Sequence, residues 1–219
     1  SEKITVSGVE FLSGSSFVIP LEQPQYKLIL GMFQRDTTFT DSIFYDISAW
    51  TLPLAFNLEY ASLSGSQFSK KLLGKAVTST QLPDGELLAT AQDYAFAFEW
   101  NEYFAPAALY HLLKKGLLVK VASKPFTGTA ANGRRSFGYG TIVVPTQNQP
   151  IAGETLLSVL REAAYLGHLT IHGLSTGLNP GSADLGSSNF ELLRKPSILL
   201  LTGEGVSPTD AGEVWHLFD

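Results

Sequence analysis

The stretch that most limits how this chain can fold runs from Gly140 to His172. It begins GTIVVPTQNQP, continues GETLLSVLREAAYLGH and closes LTIH. A β-branched apolar run, an amphipathic segment with helical spacing and a second apolar run together predict a β-α-β unit. Its opening has an echo near the N-terminus. GSSFVIPLEQP, residues 14–24, repeats the order of GTIVVPTQNQP: glycine, a small hydroxyl residue, apolar residues, proline, then Gln-Pro. Both copies lead into a segment with helical character. The chain is therefore expected to consist of two related α/β halves.

The remaining segments extend this pattern. Ile4–Phe11 and Phe17–Leu21, separated by Ser13-Gly14-Ser15, predict an N-terminal β-hairpin. Pro24 suits a helix start, where its missing N–H costs nothing, and an apolar helix should follow from Tyr26 to Phe33. A helix is expected over Ser42–Ala49, capped by Asp41. ASLSGSQFS, residues 61–69, has the composition of a linker and divides the chain into units 1–63 and 70–219. Beyond it, strands are expected at Tyr94–Glu99, Leu117–Ala122, Thr141–Val144, Leu169–Gly173 and Ser197–Thr202. Helices are expected at Ala105–Lys115 and Gly153–Leu166, from Asn189 through Leu193, and from Asp210 onward. Thr127–Ser136 and Leu174–Ser188 read as loops. Strands alternating with helices, several of them apolar on both sides, predict a mostly parallel sheet covered on both faces: a three-layer α/β/α sandwich preceded by the hairpin and a helical segment. The abrupt ends, SEKITV and VWHLFD, read as those of an excised piece or a mature fragment, with truncation of the second unit at Asp219 one reading of them.

Composition narrows the function classes. A net charge of −5 without an extended basic cluster argues against a nucleic-acid partner or an anionic membrane surface. No apolar run is long enough to span a bilayer. The absence of cysteine removes disulfides, thiolate metal sites and thiol nucleophiles. With only 16% charged residues but 14 Phe and 8 Tyr, part of the surface is expected to be covered by a partner or a neighbouring domain.

In a parallel α/β sheet, ligands gather at the carboxyl ends of the strands. The polar residues expected there are Glu99, Asn101 and Glu102, then Ser123, Gln147 and Ser175, and finally Gly203 and Glu204. Glu99 and Glu102 would make an acid–base pair if they faced one another. Alternatively, Asn101 caps the next helix and the two acids favour its N-terminal dipole. TGEGVS, residues 202–207, sits where backbone N–H groups could cradle an anion, yet it lacks a GxGxxG or P-loop lysine and equally suits a tight turn. His168 and His172 straddle a helix end and a strand, so their spacing does not make a metal pair. His111 and His216 read as packing or surface residues. Asp184 lies in the long loop, with no role that its type assigns. No zinc motif and no nucleophile elbow occurs, and catalytic and metal-ligating residues are expected to be none.

Five phrases carry a family resemblance: GSSFVIPLEQP, DSIFYDISAWTLPLAF (residues 41–56), YAFAFEWNEYFAPAALYHLL (94–113), GTIVVPTQ (140–147) and PSILLLTGEGVSPTDAGEVWHLFD (196–219). Together they resemble the region that follows the peptidase domain in large bacterial zinc carboxypeptidases of the Bacteroidetes type. The resemblance implies a fold similar to class I glutamine amidotransferases, a flavodoxin-like sandwich. It also implies a periplasmic or extracellular location, and zinc bound only in the preceding peptidase domain, with no cofactor in this chain. The amidotransferase nucleophile is a cysteine, which this chain lacks, so that chemistry transfers to no residue. The expected function is that of a non-catalytic accessory domain that packs on the peptidase domain or presents its substrate. Two alternatives stay open. One is a binding module for a peptide or small molecule in the strand-end crevice. The other is a free-standing hydrolase using Ser175 or Ser207 with a nearby histidine.

Overall fold

The structure is a computed structural model and describes residues 3–34, 52–56, 58–79 and 82–218. The expected helix at Ser42–Ala49 lies outside the described residues. Two strands, β1 (Lys3–Val6) and β2 (Val9–Leu12), form an antiparallel hairpin. Its turn is Ser7-Gly8, both with positive φ, and not the expected Ser13-Gly14-Ser15. Phe17–Leu21 forms no strand and joins no sheet among the described residues. The helix α1 follows at Tyr26–Phe33 and buries none of its residues, and a single short turn of helix, α2, covers Leu52–Ala55.

The packed body begins at β3 (Glu86–Leu88) and contains β4 (Ala95–Phe98), α3 (Ala105–Lys114), β5 (Val119–Ala122), β6 (Phe126–Ala130), β7 (Gly133–Phe137), β8 (Ile142–Pro145), α4 (Gly153–Gly167), β9 (Thr170–Leu174) and β10 (Phe190–Leu193). The strands form one sheet in the order β10-β5-β8-β4-β9-β6-β7, with β3 added beside β9. Among the described residues every pairing except β3–β9 is antiparallel. This overturns the expected three-layer, mostly parallel sandwich of flavodoxin or amidotransferase type.

The reason lies in the β-α-β unit itself. β8, α4 and β9 form close to where the sequence places them, and β8 and β9 do run in the same direction. They are not neighbours, however, because β4 lies between them, antiparallel to both. In the same way β8 separates β4 from β5 across the α3 crossover. Two interleaved β-α-β units with the order β5-β8-β4-β9 have the split connectivity of ferredoxin-like folds.

Both helices lie on one face. Phe96 and Phe98 of β4, Ile142 and Val144 of β8 and Ile171 of β9 share a core with Ala105, Ala108 and Leu112 of α3 and with Leu156, Leu160 and Ala163 of α4. The opposite face is covered by β structure and loop. A single bridge, Ala130 to Leu174, ties β6 to β9. The β6–β7 hairpin then brings Phe126 and Phe137, stacked at 4.9 Å, into a second core with Ala95, Ala97, Val143 and Phe190. The expected loop at Thr127–Ser136 is therefore a hairpin, and the expected helix after Asn189 is the edge strand β10. Strands buried on both faces read as continuous apolar runs whichever way their neighbours point. That is why the apolar texture suggested a parallel sheet.

The long loop after β9 closes this second face. Leu185 enters the core, and Asp184 Oδ1 accepts the N–H of buried Asn179 at 2.6 Å. Ser182 Oγ accepts the N–H of Thr127, and Arg134 donates to the carbonyl of Pro180 at 3.0 Å. Ser197–Thr202 forms no strand among the described residues, and α5 (Pro208–Phe218) buries no residue.

Both echoed openings set a glutamine side chain on a proline carbonyl, three residues back in the first copy and four in the second. Gln149 Nε2 donates to the carbonyl of Pro145 at 2.7 Å, and Gln23 Nε2 donates to that of Pro20 at 2.5 Å. Only the second copy is built into the sheet. There the Gln149 amide also pairs with both the N–H and the C=O of Leu118, at 2.9 and 2.8 Å, and so extends the β5–β8 pairing with a side chain. At 0.5–1.5 kcal/mol net for each such bond, Gln149→Ala is expected to lower stability by about 2 kcal/mol in urea denaturation. Gln23→Ala, on an exposed turn, is expected to change it by less than about 0.5 kcal/mol.

Candidate functional site

The candidate site lies on the face away from the helices, where β4 ends beside β9 and the β6–β7 hairpin. Strand alternation places Thr170, His172 and Leu174 on this face and Ile171 on the other. Thr170, His172, Leu88 of β3, Asn132 and Arg135 of the hairpin, and Glu99 and Glu102 after β4 line a cavity of about 320 Å³.

Glu99 continues the alternation of Ala95 and Ala97 and is half-buried. Its two carboxylate oxygens accept the N–H of Gly138 at 3.3 and 3.2 Å, and Oε2 lies 3.0 Å from Thr141 Oγ1. The Thr141 hydroxyl is fully buried and stands 2.9 Å from the Gly138 carbonyl as well. It has one proton for two acceptors, and the charged carboxylate is the stronger of the two. Glu99 is thus a stitch between the end of β4 and the turn before β8, with its position set by two donors of that turn. Glu102 lies in the turn that leads to α3. It is exposed, and among the described residues its carboxylate has neither a hydrogen-bond partner nor an ion-pair partner.

His172 is 6% exposed, with its ring edge-on to Phe137 at 6.2 Å. Burial lowers its pKa below the ordinary histidine value, and the nearby Arg135 guanidinium pushes it in the same direction. The imidazole is therefore neutral at pH 7. Arg135 projects over the Phe137 ring, 5.5 Å from its centroid, with no carboxylate within 4 Å among the described residues.

Of the eight residues expected at strand ends, Glu99 and Glu102 meet in this cavity, and Ser123 and Gln147 line neither this one nor the wider cavity described below. Asn101 is not part of this cavity: its amide donates to the Phe56 carbonyl at 3.4 Å. Nor does it cap α3, whose N-cap is Phe104 without a side-chain bond. Ser175 lines a second, wider cavity of about 560 Å³ with Tyr94, Thr176, Gly177, Leu178, Asp184, Gly186 and Ser187. Its hydroxyl donates to the Thr129 carbonyl at 3.2 Å, and Ser207 Oγ accepts the N–H of Asp210. Among the described residues neither hydroxyl is hydrogen-bonded to a histidine. Gly203 and Glu204 are exposed in a turn closed by the Val206 N–H on the Gly203 carbonyl, and they line neither cavity.

His168 points elsewhere. It ends α4 in a left-handed conformation and places Nδ1 2.9 Å from the Pro83 carbonyl. Among the described residues no three His, Asp or Glu side chains converge as a metal site would require.

No family model, curated protein or solved structure matches this chain.

His172, Arg135, Asn132 and Thr170 are site residues that sequence reasoning missed. The signal for His172 was the alternation Thr-Ile-His-Gly-Leu, in which a polar residue stands in register with a core leucine. Arg135 and Asn132 were hidden by reading the hairpin as a loop.

The shifted histidine gives a test. Because its folded pKa is lowered, the neutral form favours folding. That contribution is complete above the unfolded value near 6.5 and is lost as pH falls through the lower folded value. The urea midpoint is expected to drop between pH 7.5 and 5, and His172→Gln is expected to flatten that drop relative to wild type.

Proposed function

We propose that this chain is a non-catalytic accessory module that docks against a neighbouring folded domain through the apolar segments flanking its packed body. The observation that carries the reading is the run Ile198-Leu199-Leu200-Leu201. It is apolar throughout and forms neither helix nor strand, with Leu199 83% exposed. A segment of that texture belongs in the middle of a sheet covered on two faces, and here it has no sheet partner among the described residues. The N-terminal echo supports the same conclusion. Phe17-Val18-Ile19 corresponds in sequence to Ile142-Val143-Val144 of β8, which is fully buried, yet Phe17 is 73% exposed. Tyr26, Leu28, Leu30 and Met32 of α1 and Trp215, Leu217 and Phe218 of α5 add to the uncovered apolar surface. Segments this apolar and this exposed suit an interaction face.

The resemblance to the region after the peptidase domain of bacterial zinc carboxypeptidases supplies the partner: the peptidase domain of the same polypeptide. Zinc would reside in that domain, and the assembly would act in the periplasm or outside the cell.

Light scattering coupled to size exclusion tests this with a zinc carboxypeptidase domain of the resembled group added to the chain. A one-to-one complex is expected, together with loss of the dye fluorescence that reports exposed apolar surface. The pair Leu199→Asp and Leu201→Asp is expected to abolish both effects while leaving the body folded. Hydrolysis of C-terminal peptide bonds by the isolated chain at an enzyme-like rate would overturn the reading.

A further inference from the structure

The cavity at the end of β4 has a charge arrangement that the docking role does not use. Arg135, on the β6–β7 hairpin, and Glu102, in the turn after β4, line the same space of about 320 Å³. Their charges are opposite, yet they do not pair. No ion pair within 4 Å joins them, and neither has another ion-pair partner among the described residues. The other charged wall is already engaged, since the Glu99 carboxylate is held by the Gly138 N–H and lies within hydrogen-bond reach of the Thr141 hydroxyl. His172 forms a neutral part of the lining, able to donate through one ring nitrogen and accept through the other.

We propose that this cavity binds a small zwitterion, an amino acid with free amino and carboxylate groups, whose carboxylate pairs with Arg135 and whose ammonium group pairs with Glu102. A guanidinium presents the fork that a carboxylate fits with two parallel hydrogen bonds, and the Arg135 guanidinium lies 5.5 Å from the centre of the Phe137 ring. A simple anion would meet two carboxylates in the same space. A simple amine would leave Arg135 uncompensated and be repelled by it. Only a ligand carrying both charges satisfies both walls. The volume lies at the small end of the range for ligand pockets, which suits one amino acid better than a nucleotide or an oligosaccharide.

The test is titration of the full isotope-labelled chain, followed by amide chemical shifts, with L-alanine, acetate and methylamine in parallel at matched ionic strength. Alanine is expected to give saturable shifts at Gly138, Asn132 and His172, with much weaker responses to acetate or methylamine. Arg135→Gln and Glu102→Gln are each expected to weaken alanine binding by about tenfold, the loss of one charge-assisted hydrogen-bonded contact. Both side chains are exposed, so the spectra of these variants also show that the body stays folded. Equal responses to acetate or methylamine would overturn the proposal. So would undiminished alanine binding by both variants, or the absence of saturable shifts at the cavity in the folded protein. Docking to a peptidase domain is measured separately, and either result can stand without the other.

Discussion

The insertion of β4 between β8 and β9 is the constraint on which the rest of the body depends. Its sequence, Ala-Phe-Ala-Phe, is buried at all four positions. The phenylalanines fill the space under α3 and α4, and the alanines leave room for the aromatic rings of the opposite layer. Large side chains on one face and small ones on the other let a four-residue strand serve two cores of different thickness. Because β4 is antiparallel to both neighbours, each helix must cross over an intervening strand. The sheet then becomes antiparallel even though each helix joins two strands of like direction.

Much of this was legible in the sequence, but as elements and not as neighbours. The apolar runs and helical spacing place β4, β5, β8, β9, α3 and α4 within a few residues. Adjacency was not legible, because pairing is a long-range property. Nothing local to GTIVVP or LTIHGL states that Ala97 will lie between Val143 and His172. The β6–β7 hairpin was missed for a different reason. FTGTA alternates small polar residues with Phe, Gly and Ala, and GRRSF exposes four of its five positions, so the glycines and arginines outweighed the strand signal. Ser197–Thr202 shows the opposite error. Its strand propensity is strong, but propensity cannot supply a partner, and the described residues offer it none.

The site was half legible for the same reasons. Glu99 and Glu102 stand out as polar residues just after an apolar strand, and they do meet in one cavity. What gives that cavity its character comes from β9 and the hairpin, more than thirty residues further along the chain. Glu99 also illustrates how one carboxylate can settle a junction. It is turned toward a backbone N–H and a buried hydroxyl, so its charge is spent on joining β4 to the turn before β8, and Glu102 is left as the free acid.

The uncovered run at Ser197–Thr202 has a consequence for the life of the chain before any partner arrives. SILLLT is six residues without charge, glycine or proline, rich in β-forming character and open along its backbone. Such hexapeptides stack with copies of themselves into the interdigitated sheets of fibrils. The exposed run thus makes the chain vulnerable to self-templated assembly. In the docked arrangement proposed above, cover over this segment would also close that route to polymerisation.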